Sequence, residues 1–256
     1  MKVLTLNIWG GRAGNEKVLS FFETYKQDID IFCLQEVWAA PHPHLSERKT
    51  AGKKLYYAQE MEYALQDISK ILTDFTPYFR PLMGDHYGLL IFVRKDITVI
   101  EEGELYVYRE KGYVPEEDLG DHARSIQYIY FNRDNKKYCV INFHGLWNGK
   151  GKTDSPDRIE QSQRILGFLE KNKDKEILFC GDFNLLPNTE SIKMFEDAGL
   201  INLISKYNIQ STRTSYYTKP EKFADYIFVS PTISIKEFKV LEEEVSDHAP
   251  LYLECD

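Results

Sequence analysis

Eight polar residues of this chain stand where apolar runs begin or end. Asn7 closes the first run, and Glu36 follows Ile31-Phe32-Cys33-Leu34. His144 follows Val140-Ile141-Asn142-Phe143, and Asp182 and Asn184 follow Ile177-Leu178-Phe179-Cys180-Gly181. Asp225 opens Asp225-Tyr226-Ile227-Phe228-Val229, and Asp247-His248 precedes the last apolar run. Carboxylates and an amide can hold a hard divalent cation, and a carboxylate beside a histidine can move a proton. Taken singly, an Asp or Asn after a strand is more often a turn residue or a helix cap. A lone Glu36 reads as a rim charge, and a lone His144 as a hydrogen-bonded histidine. As an ordered set at the ends of buried strands, they can converge on one edge of a rigid sheet scaffold.

The elements that must position them follow from periodicity. Strands are expected near 3–8, 30–34, 78–82, 87–94, 97–108, 123–131, 137–143, 176–180, 225–230, 233–241 and 249–254. A helix is expected over 15–26, with Val18, Leu19, Phe22 and Tyr25 as its stripe. A long helical region is expected over 45–75, carrying Leu55, Ala58, Met61, Leu65, Ile68 and Leu72, with Pro77 marking its end. A third helix starts at Ser155-Pro156, a cap followed by proline at the first helical position. A short one is expected near 189–198. Helices first, then a run of strands, then alternation fit two packed sheets covered by helices better than a doubly wound parallel sheet.

Composition sets the outer bounds. The chain has 256 residues, 43% of them apolar, with no linker-like stretch and no repeat, so one α/β domain over 1–256 is expected. No run reaches the ~18 apolar residues of a membrane span. The first residues read directly as a strand rather than a secretory signal, so a cytoplasmic location is expected. Cys33, Cys139, Cys180 and Cys255 form no CxxC pair, and the first three sit in apolar runs as small buried hydrophobes. A net charge of −8 argues against a broad grip on nucleic acid. The acidic run from Glu101 through Glu116, Glu117 and Asp118 to Asp121 reads as a solvated face. Lys150 and Lys152, beyond His144, slightly favour an extended phosphate chain.

Leu6-Asn7-Ile8, Leu34-Gln35-Glu36-Val37, Gly181-Asp182-Phe183-Asn184, Asp225-Tyr226-Ile227-Phe228 and Ser246-Asp247-His248-Ala249-Pro250-Leu251 resemble the motifs of the endonuclease/exonuclease/phosphatase superfamily. The resemblance runs from Asn7 to Leu251. It implies a four-layer α/β sandwich, two packed mixed β-sheets flanked by helices, and divalent-metal-dependent hydrolysis of phosphate esters. It implies Glu36 as the main Mg²⁺ ligand (Mn²⁺ substituting), with Asn7 and Asp247 ligating or positioning the ion. A second, weaker ion near Asp182 and Asn184 is compatible with it. Asp182 would orient or deprotonate the attacking water, and Asn184 would donate to the phosphate or the nucleophile. His248, held by Asp225, would contact phosphoryl oxygens or act as the base, and His144 would bind phosphate or protonate the leaving group. Arg124 and Tyr87 fit phosphate-contacting positions. The substrate implied is a phosphodiester, first in nucleic acid, with inositol phosphates or phospholipids such as sphingomyelin as the alternative. A monomer without a protein partner is expected.

Two departures speak against the abasic-site repair subfamily: Trp9 stands where those enzymes have an aspartate, and His144-Gly145 replaces a common His-Leu. His42 and His44 read as a solvated loop rather than a further metal site. Trp9, Trp38 and Trp147 each lie just beyond a candidate site residue. Strand periodicity would put Trp9 beside Asn7 and Trp38 beside Glu36, which suggests an aromatic rim able to stack bases or meet lipid.

Overall fold

Period-two alternation sorts the side chains of these strands onto two faces, and both faces are covered. The computed structural model describes residues 1–41, 49–50, 53–54, 60–113 and 119–256, with backbone alone at 49–50, 53–54 and 119. In chain order the elements are β1 (Lys2–Asn7), α1 (Asn15–Tyr25), β2 (Ile31–Trp38), β3 (Lys49–Thr50), β4 (Lys53–Lys54), α2 (Ala64–Ile71), β5 (Phe75–Met83), β6 (Tyr87–Arg94), β7 (Val99–Tyr108), β8 (Arg124–Arg133) and β9 (Lys136–His144). There follow α3 (Pro156–Lys171), β10 (Glu176–Asp182), α4 (Glu190–Asp197), β11 (Ile201–Asn202), α5 (Leu203–Lys206), β12 (Asp225–Val229), β13 (Ile235–Val240) and β14 (Leu251–Cys255). They build two six-stranded mixed sheets, ordered β13-β14-β1-β2-β6-β5 and β11-β12-β10-β9-β8-β7. The parallel pairs β1/β2 and β9/β10 lie inside their sheets.

The outer face of the first sheet sends Leu4, Leu6, Phe32, Leu34 and Phe92 against Val18, Phe21 and Phe22 of α1 and Ala64 and Ile68 of α2. On the second sheet Phe179 packs against Phe195 of α4, their rings 5.3 Å apart. This is the four-layer sandwich that the motifs imply. Serine caps α3 as expected, its Oγ accepting from Arg158 N at 3.3 Å. All four cysteines are buried and free.

The inward face changes character along its length. Val3, Thr5 and Asn7 share one phase of β1, Cys33 and Gln35 one phase of β2, Asn142 and His144 one phase of β9, and Cys180 and Asp182 one phase of β10. Apolar side chains give way to uncharged polar ones and then to ionisable ones at the strand ends. The polar tier is hydrogen-bonded across the sheets. Gln35 Nε2 donates to Asn142 Oδ1 at 2.7 Å and to Thr5 Oγ1 at 3.1 Å, and Asn142 Nδ2 donates to Leu34 O at 3.0 Å. Nothing in the strand periodicity announced this network.

Among the described residues of 45–75 the helix covers Ala64–Ile71. Upstream the described residues include the short antiparallel pair β3/β4, Lys49–Thr50 with Lys53–Lys54. Leu55, Ala58, His42, His44 and Glu116 to Asp118 lie outside the described residues. Pro77 ends no helix: it sits in β5, an edge strand, where a missing N–H is tolerated. The short β11–α5 unit was not anticipated.

Gly181 turns β10 into the site with φ +135°, and a Cβ there would stand 2.0 Å from Phe143 O. Both left-handed strain and backbone overlap oppose any side chain. Gly181→Ala is expected to lower unfolding free energy by about 2–4 kcal/mol, read by urea denaturation. A loss under about 0.5 kcal/mol would contradict the packing described.

Candidate active site

Pairing register, not chance, gathers the ionisable residues. Asp182 ends β10 opposite His144 of β9 and opposite Asp225 of β12. Asn7 ends β1 beside Gln35 of β2. Glu36 follows in a β-bulge, where the β2/β6 register slips between Leu34 and Val37 and Glu36 takes φ +58°. Such a left-handed non-glycine residue re-aims its side chain at a local cost. Asn184 is left-handed too, at φ +55°.

Asn7 joins the sheets at this edge. Its Nδ2 donates to Glu36 Oε1 at 3.0 Å and to Asp182 Oδ2 at 2.9 Å, while its Oδ1 accepts from Trp9 N at 2.9 Å. Carboxylates need a donor and Trp9 N–H needs an acceptor, so the amide orientation is fixed. Asn7 thus orients the carboxylates and keeps its oxygen turned away from them. Asp182 Oδ1 accepts from Asn184 N at 2.8 Å. His248 Nδ1 lies 2.9 Å from both oxygens of Asp225, which also accepts from Thr212 Oγ1 at 3.1 Å. His248 Nε2 and His144 Nε2 stand 3.6 and 3.7 Å from Asp182 Oδ2. These gaps are too long for direct hydrogen bonds and leave Asp182 Oδ2 as a shared focus.

Electrostatics separate the roles. Burial pushes Asp182 up, but His248, Lys152, His144 and Arg213 outweigh it and hold the carboxyl well below its usual range. Burial raises the pKa of Glu36, against the opposing charge of Arg12. Burial also drives His144 well down, helped by Arg124. It acts downward on His248 as well, as does Arg213, yet Asp225, Asp247 and Asp182 together raise that imidazole. Burial pushes Lys152 down to about 8.

Carboxylate oxygens and an imidazole nitrogen of Glu36, His144 and Asp182 lie within 4.8 Å of one another, as do those of Asp182, Asp225 and His248. The first set, with two carboxylates, suits a hard divalent ion. Asp247 Oδ1, buried without a hydrogen-bond partner, offers one more oxygen. In the second set His248 Nδ1 is already engaged by Asp225, which makes that pair a proton-handling dyad rather than a ligand pair.

Arg124 is buried, donates through Nη2 to Gly120 O at 3.2 Å, and leaves Nε and Nη1 unpartnered. Glu36 and Arg124 are among the strongest charges acting on Tyr87, whose ring lies 4.9 Å from that of Trp38, tilted by 56°. The aromatic rim changes accordingly. Trp38 is buried against Tyr87, because the bulge at Glu36 breaks the alternation that would have aligned them. Trp9 lies beyond the end of β1 at φ +53°, so strand periodicity does not place it. Trp9 and Trp147 are partly exposed, the former 6.1 Å from Tyr216 and the latter under Lys219 Nζ at 5.1 Å.

Sequence reading missed Arg213. Its Nη1 donates to Asp247 Oδ2 at 3.1 Å, placed there by a bridge pairing Arg213 with His248. A single bridge leaves no periodic signal. Arg158 is buried and donates to Leu146 O, Gly151 O and Thr153 O, fastening the loop after His144. Gly145 has its own reason: a Cβ there would stand 2.3 Å from Phe183 O.

With this geometry in view, the matches of the chain take on meaning. A model of the endonuclease/exonuclease/phosphatase family matches residues 4–248, so the chain belongs to that family of phosphoester hydrolases. Among solved structures it is similar to a mannosyl-6-phosphatase from Bacteroides thetaiotaomicron, at 19% identity and TM-score 0.74, covering 100% of this chain and 99% of that one. It is similar to a conserved protein of unknown function from Enterococcus faecalis, at 20% identity and TM-score 0.75, with 100% and 99% covered. It is also similar to D. rerio TDP2 complexed with a single-stranded DNA product, at 16% identity and TM-score 0.69, with 100% and 98% covered. These likenesses establish the fold. No curated protein matches the chain.

Proposed function

We propose that the chain is a Mg²⁺-dependent phosphodiesterase, with Mn²⁺ as a substitute, that cleaves phosphate esters in nucleic acid or a nucleotide held end-on. The observation that carries the reading is the focus at Asp182 Oδ2, where the Asn7 amide of the first sheet meets the imidazoles of His144, from the second sheet, and His248, from the segment leading into β14. Glu36, with Asp247 and with Asn7 positioning the carboxylate, would hold the ion, which when bound neutralises phosphate charge and supports the leaving oxygen. Asp182, ionised at any working pH, accepts the hydrogen bond of the attacking water and then its proton. His248, favoured in its protonated form by three carboxylates, faces phosphoryl oxygens while Asp225 fixes its ring. His144 and Asn184 complete the phosphate contacts, with Arg124 and Tyr87 behind them.

The end-on placement follows from the net charge of −8, which suits a short engaged segment better than a long backbone grip. The DNA-product complex of TDP2 supports the nucleic-acid reading. A second reading, a small phosphate ester such as an inositol phosphate, sugar phosphate or lipid head group, is supported by the mannosyl-6-phosphatase likeness and by buried cations in the cleft. Among the described residues no helix is long and apolar enough to cross a membrane.

Turnover of bis(p-nitrophenyl) phosphate is expected with Mg²⁺ and Mn²⁺ and is expected to vanish with EDTA. A panel of single-stranded DNA, abasic duplex, poly(A) RNA, 5′-tyrosyl DNA, inositol phosphates and sphingomyelin then ranks the substrates. Undiminished turnover in EDTA would overturn the metal assignment, and inactivity on every nucleic acid would overturn the nuclease reading.

A further inference from the structure

Two cations in the cleft are buried and incompletely paired. Lys152 is 2% exposed, and its Nζ has no hydrogen-bond partner. Its backbone is tethered, since Lys152 O accepts from Leu186 N at 2.9 Å just beyond Asn184. Arg213 has a side chain 4% exposed and an Nε without a partner. Both cations meet the same ring: Lys152 Nζ stands 5.6 Å from the centroid of Tyr217, and Arg213 Cζ 4.1 Å from it. An unpaired buried ammonium is costly, and a fold that holds one rigidly in a polar cleft has an anion to gain there. After burial, the charges acting on Lys152 are Asp182, Arg213, Asp225 and Asp247, so its ammonium stands within reach of the site's carboxylates. Arg124 answers instead to Tyr87, Glu36 and Asp182.

We propose that Lys152 and Arg213, backed by Tyr217, clamp a terminal dianionic phosphate, so that phosphate monoesters, small or at a chain end, are preferred over internal diesters. The inference rests on the phosphoester reading of the same site and, within it, favours the second reading, a phosphatase acting on small or terminal phosphate esters, over the phosphodiesterase one. A diester offers two non-bridging oxygens, which the Glu36 side and the histidines occupy. A monoester offers a third oxygen and a second charge, and the clamp supplies donors for both. In the hydrolysis, the water oxygen bonds to phosphorus as the ester P–O bond breaks. The bonding pair stays on the leaving oxygen, one water proton ends on the released alcohol, and the other stays with phosphate.

The test uses the full chain in Mg²⁺. Wild type should turn over p-nitrophenyl phosphate with a higher kcat/KM than bis(p-nitrophenyl) phosphate and bind inorganic phosphate by calorimetry. Lys152→Met should weaken phosphate binding at least about tenfold and lower the monoester-to-diester ratio of kcat/KM by a similar factor. Arg213→Gln carries the same expectation if Lys152→Met does not give a cooperative melt. Unchanged phosphate affinity, an unchanged ratio, or a wild type that prefers the diester overturns the clamp. Absence of all turnover with every metal overturns the phosphoester reading instead, and phosphate binding still decides the clamp.

Discussion

Asp182→Asn is expected to lower kcat/KM on every substrate the enzyme turns over by about 10²–10⁴-fold, with the fold retained. The carboxylate is 1% exposed and already surrounded by donors: Asn7 Nδ2, Asn184 N and, farther off, two imidazoles. An amide keeps the shape but loses the acceptor at the shared focus and turns an N–H₂ toward Asn7 Nδ2 or the histidines. It also removes one of the three carboxylates that raise the His248 pKa. Steady-state kinetics beside a thermal melt check it. Activity within about threefold of wild type, at an unchanged melting temperature, would remove Asp182 from the chemistry.

Asp225→Asn should cost about 10³-fold or more in kcat. His248 Nδ1 sits 2.9 Å from both carboxylate oxygens, a geometry that accepts an N–H and fixes the ring. An asparagine with its amide turned inward would present N–H to Nδ1 and invert the tautomer. Thr212 Oγ1, which donates to Asp225 Oδ2 at 3.1 Å, favours keeping the amide oxygen there, so the nitrogen takes the other position, which also lies 2.9 Å from Nδ1. Removing a charge that raises the His248 pKa lets it fall. Any alkaline limb that reports loss of the imidazolium should therefore move to lower pH in the variant. A limb that stays in place, with kcat unchanged, would show that the pair only packs.

Much of the site was legible because its residues end buried strands, where the side-chain period is two and the apolar pattern stops abruptly. Asn7, His144, Asp182 and Asp225 were placed by that rule, and the register brings them together. What broke the rule was local geometry. The bulge at Glu36 carried Trp38 away from the mouth and into the core, and the turn at Trp9 ended the periodicity that placed it. Arg213 reaches the site through one bridge and has no pattern to betray it, while Lys152 was visible only as part of a basic loop beyond His144, whose burial the Arg158 contacts supply. The long helix was recovered only in part among the described residues, because apolar residues at helical spacing mark a buried face without marking where the helix starts.

The tier of Thr5, Gln35 and Asn142 beneath the site bears on how the enzyme loses function. An apolar seam tolerates sliding, since one methyl group replaces another. A hydrogen-bonded seam is satisfied at a single offset of the two sheets. Each sheet brings only part of the cleft, Asn7 and Glu36 from one and His144, Asp182 and Asp225 from the other. Catalysis therefore works as a vernier for inter-sheet alignment. A loosened seam would silence turnover while circular dichroism still reported native strands, and inactivation on warming should precede the spectroscopic melt.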